Sequence, residues 1–313
     1  MSVNLERLTK PQALADAKAA IESHCTSKIA SIHLAKEQGM FSRTFMVVLE
    51  DRSNIVVQLK DNEIDLTKVA LARALLGNIV PSMHAAKTKK AHFAYISTFI
   101  SGEMWAAKDN SGQLSGEQAV HLASQMGRLI AKCSLGSNHV TSGIVEYIIV
   151  PRLHKILEKG DSLTVEARSR IETLLKKTDE LKALPLTLCH IDLNERNIIV
   201  NDTAEIVGLI DWEQAGLLPL GMNAWCIRYL AVKTTGGVDC VNEDTLPMTQ
   251  AFWKTLTADV PLNLQPAIVT AMQVGYILIA VFIEGITPSK MVLSNLVARF
   301  DWLENTFRSF CSA

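Results

Sequence analysis

The sequence predicts an α+β chain with a small β-rich first part, residues 1–101, and a larger, mostly helical second part, residues 102–313. Three observations predict it. Short apolar runs with polar turns between them fill the stretch from Ser27 to Lys60, and such runs read as strands. After Gly102, apolar residues recur mostly at helical spacing. One stretch, Leu186–Gly221, interrupts those helices with three β-type runs at Leu186–Cys189, Ile198–Val200 and Ile206–Ile210, separated by polar residues.

Composition narrows the class. A chain of 313 residues has room for about two domains and a large core. Its net charge of −1 and pI near 6.7 argue against nucleic acid or an anionic membrane as partner. The start, MSVNLERLTK, carries charge early and lacks an apolar h-region, so no signal peptide is expected. Six cysteines stand far apart without a C-x-x-C pair, and several lie in apolar runs, as suits reduced thiols in a cytoplasmic protein. No charge falls between Asp259 and Glu284, but Pro261, Asn263, Gln265, Pro266, Gln273 and Gly275 interrupt that interval. A membrane span needs about 20 apolar residues, so a buried core helix is expected there.

In chain order, Pro11–Cys25 reads as a helix, with proline at its start and Leu14, Ala17 and Ile21 on one face. Strands follow at Ile29–Leu34, Thr44–Glu50 and Asn54–Lys60, the last two joined by a polar turn. Alternation puts Gln58 and Lys60 on one face of the third strand. Ile64–Leu76 is a helix stopped by Gly77, and Glu63 and Asp65 at its start suit capping. Ala91–Ser97 is a further strand, and the domain boundary falls near Ser101–Gly102. Helices are expected at Glu117–Leu135, Gly143–Lys159 and Val165–Leu184, then at Met222–Val232, Glu243–Leu256, Pro266–Ile283 and Pro288–Phe310.

The interrupting stretch carries the chemistry. His190, Asp192, Asn197 and Asp211 stand at the ends of its short strands, where a rigid base holds side chains in place. The spacing His190-x-Asp192-x4-Asn197, then a strand ending in Asp211, suits phosphoryl transfer. That chemistry needs a carboxylate to orient or deprotonate the attacking hydroxyl, and hard oxygen ligands for Mg²⁺. Asp192 suits the first role; Asn197 and Asp211 suit the second. His190 belongs with the catalytic group as the residue that fixes the loop by hydrogen bonds. Glu213, two residues beyond Asp211, is a candidate for contact with metal through water or with the acceptor. Arg196 is expected to pair with Glu195 or Asp202, the alternative being that it shields the charge of the transferring phosphate.

CHIDLNERNIIV followed by GLIDWEQA resembles the aminoglycoside phosphotransferase and choline kinase-like superfamily, whose small-molecule kinases carry H-x-D-x4-N and then I-D-W/F-E. The continuation LPLGMNAWCIRY is similar to the fungal branch, and the G-D-P…D segment of other members is absent. The resemblance covers roughly Glu37 to Leu230. It implies a protein kinase-like bilobal fold, a first lobe that binds ATP with Mg²⁺, and a helical second lobe that binds a small-molecule alcohol acceptor. It implies that Gly39, Ser42 and Thr44 are what remains of a loop over the phosphates. It implies a phosphate-pairing lysine on the third strand, at Gln58 by one alignment and at Lys60 by another. It implies an adenine platform at the hinge, Ser97, Thr98, Phe99 and Ile100. The acceptor would lie beside the C-terminal helices, where Trp225 and Tyr229, or Trp105 or Trp253, are aromatic candidates. The depleted glycine loop and the Gln58 ambiguity leave an alternative, a kinase-fold protein that no longer transfers phosphate.

Overall fold

The computed structural model describes residues 10–36, 38, 42–88, 93–110, 114–136, 140–159, 163–235, 238–281 and 295–312. The chain divides into two compact units, Met1–Ser101 and Gly102–Ala313. Gly39, residues 91–92 and residues 288–294, named above, lie outside the described residues.

The first unit is built on strand alternation. Its elements are α1 (Lys10–His24), β1 (Ile29–Leu34), β2 (Ser42–Leu49), β3 (Asn54–Lys60), α2 (Leu66–Leu76), β4 (Met83–Ala86) and β5 (Phe93–Thr98). The strands form one antiparallel sheet in the order β1-β2-β3-β5-β4. Ala13, Ala17, Ala20 and Ile21 of α1 lie on one helical face and pack against Phe45, Val47, Leu49, Val57, Leu59, Ala94 and Ile96. Since successive strand residues face opposite ways, Gln58 and Lys60 point away from that core. Before α2, Asp65 acts as a cap: it accepts from Thr67 N at 3.1 Å and pairs with Lys68 at 3.8 Å. The sequence reading lacks β4, whose segment MHAA has no β-branched residue; only its pairing with β5 makes it a strand.

The second unit runs β6 (Glu103–Met104), α3 (Trp105–Asn110), α4 (Gly116–Lys132), α5 (Val140–Ile144), α6 (Val150–Lys159), α7 (Val165–Lys176), β7 (Leu186–Cys189), β8 (Ile198–Val200), β9 (Ile206–Leu209) and β10 (Gly216–Pro219). It continues with α8 (Ile227–Ala231), β11 (Lys233–Thr235), β12 (Val238–Cys240), α9 (Thr245–Leu256), α10 (Gln265–Val281) and α11 (Leu296–Cys311). The helix expected over Gly143–Lys159 is interrupted by a π turn at Val145–Ile149. Pro151 explains it: the ring has no N–H for the carbonyl of Tyr147, four residues back, and a wider turn absorbs the mismatch. The helix expected to reach Leu184 ends at Lys176 and continues as a tighter 3-10 turn, Thr178–Ala183. The one expected over Met222–Val232 shortens to a 3-10 turn, Ala224–Cys226, and α8.

Two close approaches set the helical core. In α4, a Cβ on Gly127 would stand 2.4 Å from the Phe252 carbonyl oxygen of α9. In α10, a Cβ on Gly275 would stand 1.7 Å from the Met222 carbonyl oxygen. The window Leu262–Ile279 is long and apolar enough to cross a membrane by composition. Ile268, Ala271, Met272, Val274 and Ile277 within it are fully buried in the protein, as in a core helix.

Two outcomes follow from this packing. Gly127→Ala should cost about 1–3 kcal/mol in a denaturant titration, since the Phe252 carbonyl and the Thr255 hydroxyl both oppose the new methyl and the backbone oxygen cannot swing aside. Thiol labelling of the native protein should mark exposed Cys240 and Cys311 and spare Cys133, Cys189 and Cys226, which react only after denaturation. Burial pushes the Cys133 thiol up to about 12, so exclusion and protonation act together there.

Candidate active site

In the second unit, β7 is paired with β10 on one side and bridged at Thr187 by Ser134 on the other, which makes it a fixed base for the loop it opens. The β8–β9 hairpin carries the far end of the same stretch, with Ile198 opposite Leu209. The polar residues fall where these short strands run out.

His190 is the first of them and is 2% exposed. Its Nε2–H donates to the Ile210 carbonyl at 2.7 Å, and its ring meets Trp212 edge-on with centroids 4.7 Å apart. The N–H of the same residue, Ile210, donates to the Asn197 carbonyl at 3.0 Å. The peptide leading into Asp211 is therefore gripped from the loop's start and from its end. Burial holds the His190 imidazole below its ordinary pKa, so the neutral ring is the form that positions the loop.

Asn197 links the remaining groups. Its Nδ2 donates to the Asp192 carbonyl at 2.7 Å and to Asp192 Oδ2 at 3.3 Å. Asn194, not singled out by the sequence reading, donates to Asp192 Oδ1 at 2.9 Å. An asparagine two residues after an aspartate is a recognisable local hydrogen-bonding pattern, and that was the available signal. Burial pushes the Asp192 carboxyl up; Asn194 and His190 oppose it, while the charge of Asp211 adds to it. Asp211 adopts a left-handed backbone, φ 67° and ψ 47°, which few residues tolerate and which costs on the order of 1–3 kcal/mol where the surroundings impose it. Such strain is typical of groups held for a task. Glu213 follows on the 3-10 turn Trp212–Gln214 and is half-buried.

The donor set fits a hard divalent cation. With its amide nitrogen turned to Asp192, Asn197 has its carbonyl oxygen left to offer, and Asp211 brings a carboxylate. Asp192 keeps its carboxylate oriented by two asparagine amides.

The aromatic candidates separate. Trp105 and Trp253 are core residues, Trp253 donating to Thr306 Oγ1 at 3.1 Å. Trp225 is also buried, its ring set against Tyr229 and Tyr276, so it backs the site rather than lining it. Tyr229 alone of the expected pair keeps surface, 36%. Burial raises its phenol above the ordinary pKa, with Tyr276 and Glu195 adding to the effect. Nearby, Arg228 donates through Nε to Asp239 Oδ2 at 2.9 Å, and Arg299 reaches the same oxygen at 3.3 Å. No spacing in the sequence links these three residues.

In the first unit, register gathers the phosphate candidates. Ser42 lies directly opposite Lys60, and Thr44 directly opposite Gln58, on the sheet face away from α1. Ser42 and Thr44 share a hydrogen bond at 3.3 Å. Lys60 is 5% exposed, while Gln58 is half-buried. Ser97 and Thr98 belong to β5, which is paired on both sides, so their backbone groups serve the sheet. Phe99 and Ile100 follow it and are outside the ladder.

Residues 43–237 match the sequence profile of the phosphotransferase enzyme family. Among solved structures, a macrolide 2′-phosphotransferase type I superposes with a TM-score of 0.59 at 14% identity, covering 94% of this chain and 98% of that one. A putative fructosamine-3-kinase from Thermobifida fusca gives 0.58 at 13% identity over 93% and 98% of the two chains. A choline kinase from Cryptosporidium parvum Iowa II gives 0.55 at 12% identity over 90% of each. At such identities the likeness is one of fold, and that fold is kinase-like. A comparison with curated protein sequences found no match.

The buried, neutral His190 makes stability pH-dependent. Below the ordinary imidazole pKa of about 6.5 the unfolded chain takes up a proton that the folded ring resists. Stability should therefore fall as pH drops from 7, by up to about 1.4 kcal/mol per pH unit. His190→Gln, which keeps an N–H donor, should lack this contribution when denaturation midpoints are compared between pH 7 and pH 5.

Proposed function

The chain belongs to the phosphotransferase enzyme family, and from that premise we propose that it transfers the γ-phosphate of ATP, with Mg²⁺, to a hydroxyl of a small molecule. The observation that carries the reading is Asn197, whose side chain holds Asp192 and whose carbonyl holds the peptide before Asp211. One residue thereby couples a carboxylate suited to the attacking hydroxyl with a carboxylate suited to a metal.

Asp192 orients the acceptor hydroxyl and receives its proton as the new bond to phosphorus forms. Asn197, through its carbonyl oxygen, and Asp211 are the residues that would hold Mg²⁺. When bound, Mg²⁺ neutralises charge on the phosphates. Of the two candidates on β3, Lys60 supplies the cation for the phosphates, and Gln58, Ser42 and the Gly39 loop offer hydrogen bonds. Phe99 and Ile100, whose backbone is outside the sheet, suit adenine better than Ser97 and Thr98. Tyr229 faces the acceptor, and Glu213 acts on the metal side. The reaction takes place in the cytoplasm, where ATP is at hand and the buried thiols stay reduced.

The acceptor is a hydroxylated metabolite of modest positive charge. Among the described residues, the segments after Glu213 hold no cluster of carboxylates of the kind that a polycation requires. Asp239, one of the few acids there, is already taken by Arg228 and Arg299.

A thermal-shift titration with MgATP separates the roles. Ligand at about 100 times its Kd stabilises the native state by about 2.7 kcal/mol. Asp192→Ala should keep that rise and lose turnover, whereas Asp211→Ala should lose the Mg²⁺-dependent part of the rise. Equal loss of binding in both variants would overturn the assignment.

A further inference from the structure

We infer that Glu195 anchors the acceptor: its carboxylate receives a hydrogen bond from a donor group, hydroxyl or ammonium, on the molecule whose hydroxyl Asp192 orients. The inference rests on the phosphotransferase reading above and adds to it a specificity-determining residue.

Glu195 lies within the loop between Asp192 and Asn197. Its backbone is fixed, since its carbonyl accepts from Ala106 N at 3.0 Å. Its neighbours spend their amides inside the loop, Asn194 and Asn197 both on Asp192. The side chain of Glu195 is different. Its Oε2 is buried and has no hydrogen-bond partner among the described residues. A carboxylate oxygen withdrawn from water without a donor is costly, and native proteins rarely carry one without a reason.

The arginines of this region are engaged elsewhere or exposed. Arg196, its expected partner, is exposed, and no ion pair joins the two among the described residues. Arg228 is 4% exposed and gives both its Nε and a terminal nitrogen to Asp239. Arg299 divides itself between Asp239 at 3.3 Å and the Tyr276 hydroxyl at 2.9 Å. The Tyr229 phenol, which keeps surface, is raised first by burial and in lesser part by the charge of Glu195. A buried acceptor atom near Asp192 and a half-open tyrosine together make a place for a donor that arrives with the substrate.

The test uses Glu195→Gln and Glu195→Ala in the full chain. Without ligand, both variants should melt above wild type by about 2 °C or more, because a buried carboxylate oxygen without a donor is gone. MgATP should raise the melting point of wild type and variants equally. Ribitol, a polyol, and ethanolamine, an amino alcohol, serve as acceptor probes in the presence of the magnesium complex of a non-hydrolysable ATP analogue. The probe that shifts wild type and not Glu195→Gln tells a hydroxyl donor from an ammonium one. With that probe, ADP release should show KM for the acceptor raised about tenfold, with kcat and KM for MgATP unchanged. Lower melting of both unliganded variants would make Glu195 a structural residue and overturn the inference. Loss of the MgATP shift would place it on the nucleotide side and overturn it equally. A wild type that ignores MgATP would instead count against the phosphotransferase reading, and the unliganded melting comparison alone would judge Glu195; it does so too if neither probe shifts the wild type.

Discussion

Everything in the second unit's site depends on how the Ile210 peptide is held. Its carbonyl takes the His190 Nε2–H and its N–H reaches the Asn197 carbonyl, so the two ends of one loop close on the residue before Asp211. His190 and Asn197 are buried and Ile210 is half-buried, and a hydrogen bond left half-made away from water costs more than the intact bond contributes. The grip is thus hard to loosen without losing the loop. It also explains how Asp211 is kept in a left-handed conformation that an isolated chain would leave: aspartate is among the few residues that visit that region, and the clamp over-determines it.

The polar network around Asp192 extends the same logic. Asn194 and Asn197 each point an amide at it, Trp212 closes over His190, and the Trp212 indole nitrogen donates to the Leu209 carbonyl at 2.9 Å. Almost every polar atom in the loop is therefore committed to holding another one. His190 Nδ1 and Glu195 Oε2 are the exceptions: both are buried without a hydrogen-bond partner among the described residues. In the first unit the sheet does comparable work with less chemistry: register alone sets Ser42 beside Lys60 and Thr44 beside Gln58 on the face that α1 leaves uncovered.

Much of this was legible in the sequence where local rules decide. The bounds of β3 follow from alternation between a polar turn and a charged pair, and the Leu186–Gly221 stretch announces itself because polar residues stand where apolar runs end. The α+β class and the family resemblance follow from the same features. What stayed hidden is tertiary. The segments β4, β6, β11 and β12 are two to four residues long and become strands only by pairing. The π turn needs knowledge that Pro151 sits inside a helix rather than at its start. Arg228, Asp239 and Arg299 are distant in sequence and meet only in the fold. Trp225 and Tyr229 share helical spacing, yet their different burial depends on what packs over each. Arg196 was expected to pair with Glu195 or Asp202, and among the described residues it pairs with neither, Asp202 meeting Lys108 instead; charge adjacency in a loop does not fix where side chains point.

The most direct measurement follows the γ-phosphate itself. Phosphorus NMR of the protein with MgATP and a mixture of hydroxylated metabolites should show the γ signal giving way to a new phosphomonoester resonance, absent with Asp192→Ala. A γ signal that persists, or that turns only into inorganic phosphate, would contradict transfer to an alcohol.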